Sequence, residues 1–171
     1  MNYEIKNLKT GWSREYGDGG SYTCTLYRDG KRVAKIMEAG DGGCQEHEWL
    51  DSDKPRVEIT VHDYNGDTRT YSGTPEQKLF AEYADSQTYE WEYDDKPQRH
   101  SPDTFVGHLV AKFEETKQFK KWCRTKTYFR LKGDKEGQWS YFKVKYSPEV
   151  KRQIEARYGD QLEEILNERF Q

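Results

Sequence analysis

Four groups of residues have the chemical types that binding or catalysis requires. Cys44 and His47, two residues apart, could chelate zinc. A closed zinc site needs four ligands, usually as two such pairs. Cys24, His62, His100, His108 and Cys123 provide no second pair at that spacing, so no metal is expected. Pro102-Asp103 followed by Glu115-Thr116-Lys117 carries the letters of a metal-dependent nuclease. That chemistry needs the two acids and the lysine to converge on Mg²⁺. Here the stretch from Ser101 to Cys123 has the pattern of one amphipathic helix, which would set Asp103 and Glu115 about 18 Å apart along its axis. Cys123 stands among Lys120, Lys121 and Arg124, a setting that lowers a thiol pKa when the thiol is exposed. A cysteine after Trp122 at a helix end is more often a small core residue. No Gly-x-Ser-x-Gly elbow is present. The runs Gly17-Asp18-Gly19-Gly20 and Gly40-Asp41-Gly42-Gly43 neither open a helix nor precede Lys-Ser/Thr, so they are connectors rather than phosphate cradles. No catalytic residue and no cofactor are expected.

Two further groups are suited to recognition. In the segment 125–146 strand alternation separates two faces. Phe129, Leu131, Phe142, Val144 and Tyr146 make an apolar face. Tyr128, Arg130, Lys132, Trp139, Tyr141, Lys143 and Lys145 make the other. Rings interleaved with cations are the materials of a single-strand nucleic-acid surface. The competing reading is a sheet face covered by helices, with lysines reaching past its edge. The second group is Tyr89, Glu90, Trp91, Glu92, Tyr93, Asp94 and Asp95. As a strand it sets Tyr89, Trp91 and Tyr93 against an acidic row that could meet a basic protein channel by imitating phosphate. The competing reading is a strand with rings inward and acids in water.

The elements that must position these groups follow from local signals. Asp29-Gly30 between Tyr22–Arg28 and Lys31–Met37 marks a type I′ hairpin. Val57–His62 alternates as a half-buried strand, and Asn65-Gly66 marks a return over Thr68–Tyr71. A further strand is expected at Thr88–Tyr93. Thr74-Pro75-Glu76, Ser101-Pro102-Asp103 and Ser147-Pro148-Glu149 each place a capping hydroxyl, a proline and an acid at a helix start. The first helix runs to about Ala84. The second, with Phe105, Leu109, Phe113 and Trp122 on one face, ends near Cys123. The third ends at Gly159, after which Asp160 is expected to cap a short fourth helix with Leu162, Ile165, Leu166 and Phe170 inward. Thr125–Lys132 and Gln138–Tyr146 are expected strands. The fold class is α+β, with antiparallel hairpins in one or two sheets and three to four packed helices. One domain over 1–171 is expected, or a hairpin-rich 1–94 followed by a helix-hairpin-helix 101–171.

Hydrophobic residues are only 33% of the 171, yet 13 Tyr, 7 Phe and 5 Trp argue for a folded chain whose core is supplemented by rings. Net charge is -3, but residues 38–104 carry 17 acids against 6 bases, and 111–152 carry 13 bases against 5 acids. Three cysteines are no disulfide framework. No apolar run suggests a leader or a membrane span, so a cytoplasmic location without membrane association is expected. The hairpin with Leu26-Tyr27-Arg28-Asp29-Gly30-Lys31 and the later Gly42-Gly43 resemble the N-terminal half of small uncharacterised phage and plasmid mobile-element proteins. Cys123-Arg124-Thr125-Lys126-Thr127-Tyr128-Phe129-Arg130-Leu131-Lys132-Gly133 resembles their C-terminal half, as do Tyr146–Lys151 and Tyr158-Gly159-Asp160. The resemblance implies a mobile-element origin, where anti-CRISPR and other anti-defence inhibitors are common, and carries over no functional residue. The expectation is a non-catalytic inhibitor or adaptor that binds a host protein, such as a nucleic-acid-targeting defence complex, through the 89–95 segment. The alternative is single-stranded nucleic-acid binding through the 125–146 hairpin.

Overall fold

The computed structural model describes residues 1–12, 20–41, 44–62, 67–90, 96–135 and 137–171. It is α+β, its sheets are antiparallel, and the chain divides into two compact units, Met1–Ala111 and Lys112–Gln171. The described residues hold four small sheets, where one or two were expected.

In the first unit β1 (Tyr3–Trp12), β2 (Gly20–Arg28), β3 (Lys31–Glu38) and β4 (Glu46–Trp49) form one sheet in sequence order. The β2–β3 turn has φ of 49° at Asp29 and 78° at Gly30, the left-handed pair that a type I′ turn requires. β1 and β4 were not expected from the sequence. β1 buries Tyr3 and Ile5 but is interrupted between Lys6 and Lys9, where Asn7 has φ of 56°. That bulge breaks the alternation a sequence pattern depends on. Strands β5 (Val57–His62) and β6 (Thr68–Gly73) form the second hairpin, its turn lying outside the described residues. β7 (Thr88–Tyr89) pairs with β8 (Gln98–Arg99); the rest of the strand expected at 88–93 is described only as far as Glu90.

Helix α1 (Pro75–Asp85) starts where Thr74 Oγ1 accepts from the Gln77 amide at 3.1 Å. It buries Phe80, Ala81 and Ala84. Phe80 is the hub of an aromatic core, with ring centroids 5.0 Å from Tyr3, 5.7 Å from Trp49 and 5.9 Å from Phe105. Phe105, Val106 and Leu109 come from the first half of α2 (Pro102–Trp122). Arg28 grips Glu76 with two bonds of 2.7 and 2.8 Å, and the Tyr3 hydroxyl donates to the same carboxylate at 3.2 Å. The two ends of the pair are 29% and 12% exposed, between the surface and buried regimes. Arg28→Met is therefore expected to cost about 1–2 kcal/mol, measured as a lower urea midpoint; an unchanged midpoint would show that the pair contributes nothing.

Two histidines of this unit fold as neutral rings. Burial pushes His47 below its ordinary 6.5, with the Asp103 charge pulling partly back. Burial also lowers His100, and His108, with ring centroids 5.4 Å apart, acts in the same direction. The unfolded chain regains ordinary basicity and binds more protons once the pH falls below that value. Stability is therefore present above the unfolded pKa and lost on acidification, as the pH falls from the ordinary histidine range through the lowered folded-state values. A His47→Gln, His100→Gln double variant is expected to show a flatter dependence of urea midpoint on pH across that window.

In the second unit β9 (Thr127–Leu131) is central, flanked by β10 (Ser140–Phe142) and β11 (Leu162–Ile165). β9 and β10 are shorter than the strands expected over Thr125–Lys132 and Gln138–Tyr146. Helix α3 (Pro148–Tyr158) is capped by Ser147, whose Oγ accepts from the Val150 amide at 3.2 Å. It covers one face of the sheet through Phe129, Ile154 and Ile165, with Phe142, Val150 and Tyr158 around them. The end of α2 and a 3-10 turn at Leu166–Phe170 cover the other through Phe119, Tyr128 and Leu166. The fourth helix expected after Asp160 is not formed. Gly159–Gln161 is a 3-10 turn, and Leu162–Ile165 is β11. The open edge of β9 supplies ladder partners that a short isolated helix cannot match. The described residues thus contain three α-helices.

Candidate nucleic-acid interface

The second unit holds 15 Lys and Arg against 10 Asp and Glu, and the fold sorts them. The carboxylates of α3, β11 and the final turn engage their own cations. Arg130 bonds Glu163 at 2.8 Å and Glu164 at 3.2 Å. Arg169 grips Glu164, and Lys151 contacts Glu168 at 2.7 Å. The Tyr146 hydroxyl also donates to Glu168 at 2.7 Å, and these bonds hold the Glu168 carboxyl below its ordinary range. Lys120, Lys121, Arg124, Lys126, Lys143 and Lys145 have no carboxylate at ion-pair distance among the described residues.

Local structure puts these cations together. In the last turns of α2, Phe119 and Trp122 point into the core, so Lys120, Lys121 and the following Arg124 are left outside. The chain leaving β10 has no ladder partner beyond Phe142, and Lys143 and Lys145 extend into solvent. Lys120, Arg124 and Lys145 line a groove of about 370 Å³ with Tyr146, Asn167 and Phe170. Asn167 forms its floor. Its Oδ1 accepts from the Tyr128 amide at 2.8 Å, and its Nδ2 donates to the carbonyls of Cys123 and Lys126 at 3.2 and 2.9 Å. Lys126 lies 4.3 Å from the centroid of Tyr141, a ring 45% exposed. Cys123 also lines the groove. Burial pushes its thiol pKa up, so it stays protonated and is a poor nucleophile.

The face expected to be outward is divided. Lys132, Tyr141, Lys143 and Lys145 are exposed. Tyr128 is only 7% exposed and stacks on Trp122 at 5.3 Å. Trp139 packs edge-on against Phe119 at 5.7 Å. Arg130 is ion-paired beside that indole. The α2 end draws the two rings inward, because a large ring gains more from burial than from water, while the β11 carboxylates hold Arg130. On the former core face, Val144 is 47% exposed. The cations of the α2 end were seen in the sequence only as neighbours of Cys123. Nothing local tied them to Lys145.

Of the acidic-aromatic group, Tyr89 lies against His100 with centroids 4.5 Å apart, and Glu90 is exposed. Trp91, Glu92, Tyr93, Asp94 and Asp95 lie outside the described residues. Asp103 and Glu115 are on one continuous helix. Cys44 is exposed, while the His47 ring packs near Trp49 at 5.9 Å. Among the described residues no three His, Cys, Asp or Glu side chains converge as a metal site, and no helix is long and apolar enough to cross a membrane. Comparison with protein-family models, curated proteins and solved structures finds no match to this chain.

Proposed function

We propose that the 112–171 unit binds single-stranded nucleic acid through the groove between the α2 end and the chain leaving β10. The sorting of charge carries this reading. Cations paired within the fold are already neutralised, whereas Lys120, Lys121, Arg124, Lys126, Lys143 and Lys145 are available to phosphates. Tyr141 beside Lys126 supplies one exposed ring on which a base can stack. Fluorescence anisotropy with a labelled oligonucleotide at low salt tests it. Lys120→Glu, Arg124→Glu and Lys145→Glu together are expected to weaken binding about 100-fold and to reduce the slope of log affinity against log salt by about 2. Tyr141→Ala is expected to cost about 1–3 kcal/mol of affinity. Absence of binding to every single strand at low salt would reject the reading. The mobile-element inhibitor reading rests on a different feature: the 1–111 unit carries 21 acids against 13 bases. A host protein retained after nuclease treatment, and lost when Glu90 and the acids at 92–95 become lysine, would favour it instead.

A further inference from the structure

The first unit contains a polar pocket independent of the cationic groove. Five elements converge on it. His47 comes from β4 with Gln45 just before it, Val61 from β5, Tyr71 from β6, Gln77 from α1, and Ser101–Asp103 from the start of α2. Its volume is about 340 Å³, near the lower end for small-ligand sites. Gly73 makes the arrangement possible, because a Cβ there would lie 2.4 Å from Gln77 Oε1. Gln77 can therefore lie back and line the pocket together with Tyr71.

Among the side chains that line the pocket the one full charge is the Asp103 carboxylate, and no lysine or arginine is present. The His47 side chain is 11% exposed, with Nε2 3.3 Å from Gln45 Oε1 and 3.7 Å from Asp103 Oδ1. Gln45 uses its Nε2 to donate to the Asp103 carbonyl at 3.1 Å, which leaves the Asp103 carboxylate free. That carboxylate is half exposed and, among the described residues, has no cation but this imidazole, which burial keeps neutral. The helix N-terminus offers about half a positive charge, so roughly half a negative charge remains. Neighbouring groups respond to it. Burial is the main cause that raises the phenol pKa of Tyr71 and of Tyr22, whose buried Oη has no hydrogen-bond partner among the described residues, and the Asp103 charge adds a smaller push in the same direction. A pocket whose one full side-chain charge is negative, with the rings of Tyr71 and His47 as walls, repels anions and favours cations.

We propose that this pocket binds an organic cation of the amine or guanidinium type, such as the head of an arginine side chain, with Asp103 as its counter-ion and Tyr71 as the cation–π wall. N-Methylguanidinium is the probe, titrated into the full chain while the His47 ring and the Ser101–Thr104 amides are followed by NMR. Saturable shifts at millimolar concentration are expected there. Asp103→Asn should weaken binding at least about tenfold, and Tyr71→Ala should weaken it less. N-Methylurea, nearly the same shape without the charge, should not saturate. Amide spectra of the free variants report whether each is folded. Should a variant unfold, the methylurea comparison on the unaltered chain still decides. Shifts that do not saturate, equal binding of methylurea, or full binding by folded Asp103→Asn would each overturn the proposal.

Discussion

Phe80→Ala is expected to destabilise the 1–111 unit by about 3–5 kcal/mol. Phe80 is fully buried, and the rings of Tyr3, Trp49 and Phe105 contact it from the sheet and from α2. Deleting the ring loses its transfer free energy and leaves a cavity that these rigid neighbours cannot all fill. Domains are stable by about 5–15 kcal/mol, so this one change removes roughly a fifth or more of the total. Urea unfolding followed by tryptophan fluorescence, which Trp49 at the cavity wall reports, provides the measurement. Phe80→Leu keeps most of the volume and is expected to recover about half of the loss. A loss below about 1 kcal/mol for alanine would show that the aromatic cluster does not hold this unit together.

Asn167→Ala is expected to cost the 112–171 unit about 3 kcal/mol or more, although it removes only a small side chain. Asn167 is 4% exposed and serves three backbone groups, the Tyr128 amide in a buried bond and the Cys123 and Lys126 carbonyls in part-buried ones. Each bond contributes about 0.5–1.5 kcal/mol, and each buried group left unpaired costs about 1–3. The near-isosteric Asn167→Asp separates hydrogen bonding from packing. It keeps the acceptor for the Tyr128 amide but turns a carboxylate toward two carbonyls. At neutral pH it is expected to be at least as destabilising as alanine. Its folded pKa would lie above the unfolded value, so its stability should be highest in acid and fall as pH rises through that range. Urea midpoints for both variants across that range are the check; full stability of Asn167→Asp at neutral pH would contradict the assigned bonds. Because Asn167 is the floor of the cationic groove, oligonucleotide binding should weaken in step.

What the sequence determined by itself is what short segments decide. Asp29-Gly30 imposes its turn because two consecutive left-handed residues are needed there. Thr74-Pro75 and Ser147-Pro148 start helices where they stand, since cap, proline and dipole act within one turn. The continuity of α2, which separates Asp103 from Glu115, was legible for the same reason. Pairing beyond the hairpins was not. β1 hides its pattern behind the Asn7 bulge, β4 has only four residues, and Leu162–Ile165 suits a helix or a strand equally until the open edge of β9 is present. Alternation in 125–146 separated two faces but could not say that Phe119, Trp122 and Leu166 would cover Tyr128. The two sites have the same origin. His47 and Asp103 are 56 positions apart, and Lys120 and Lys145 are 25 apart. Electrostatic fields and concavities depend on distances through space, and only the tertiary structure sets those.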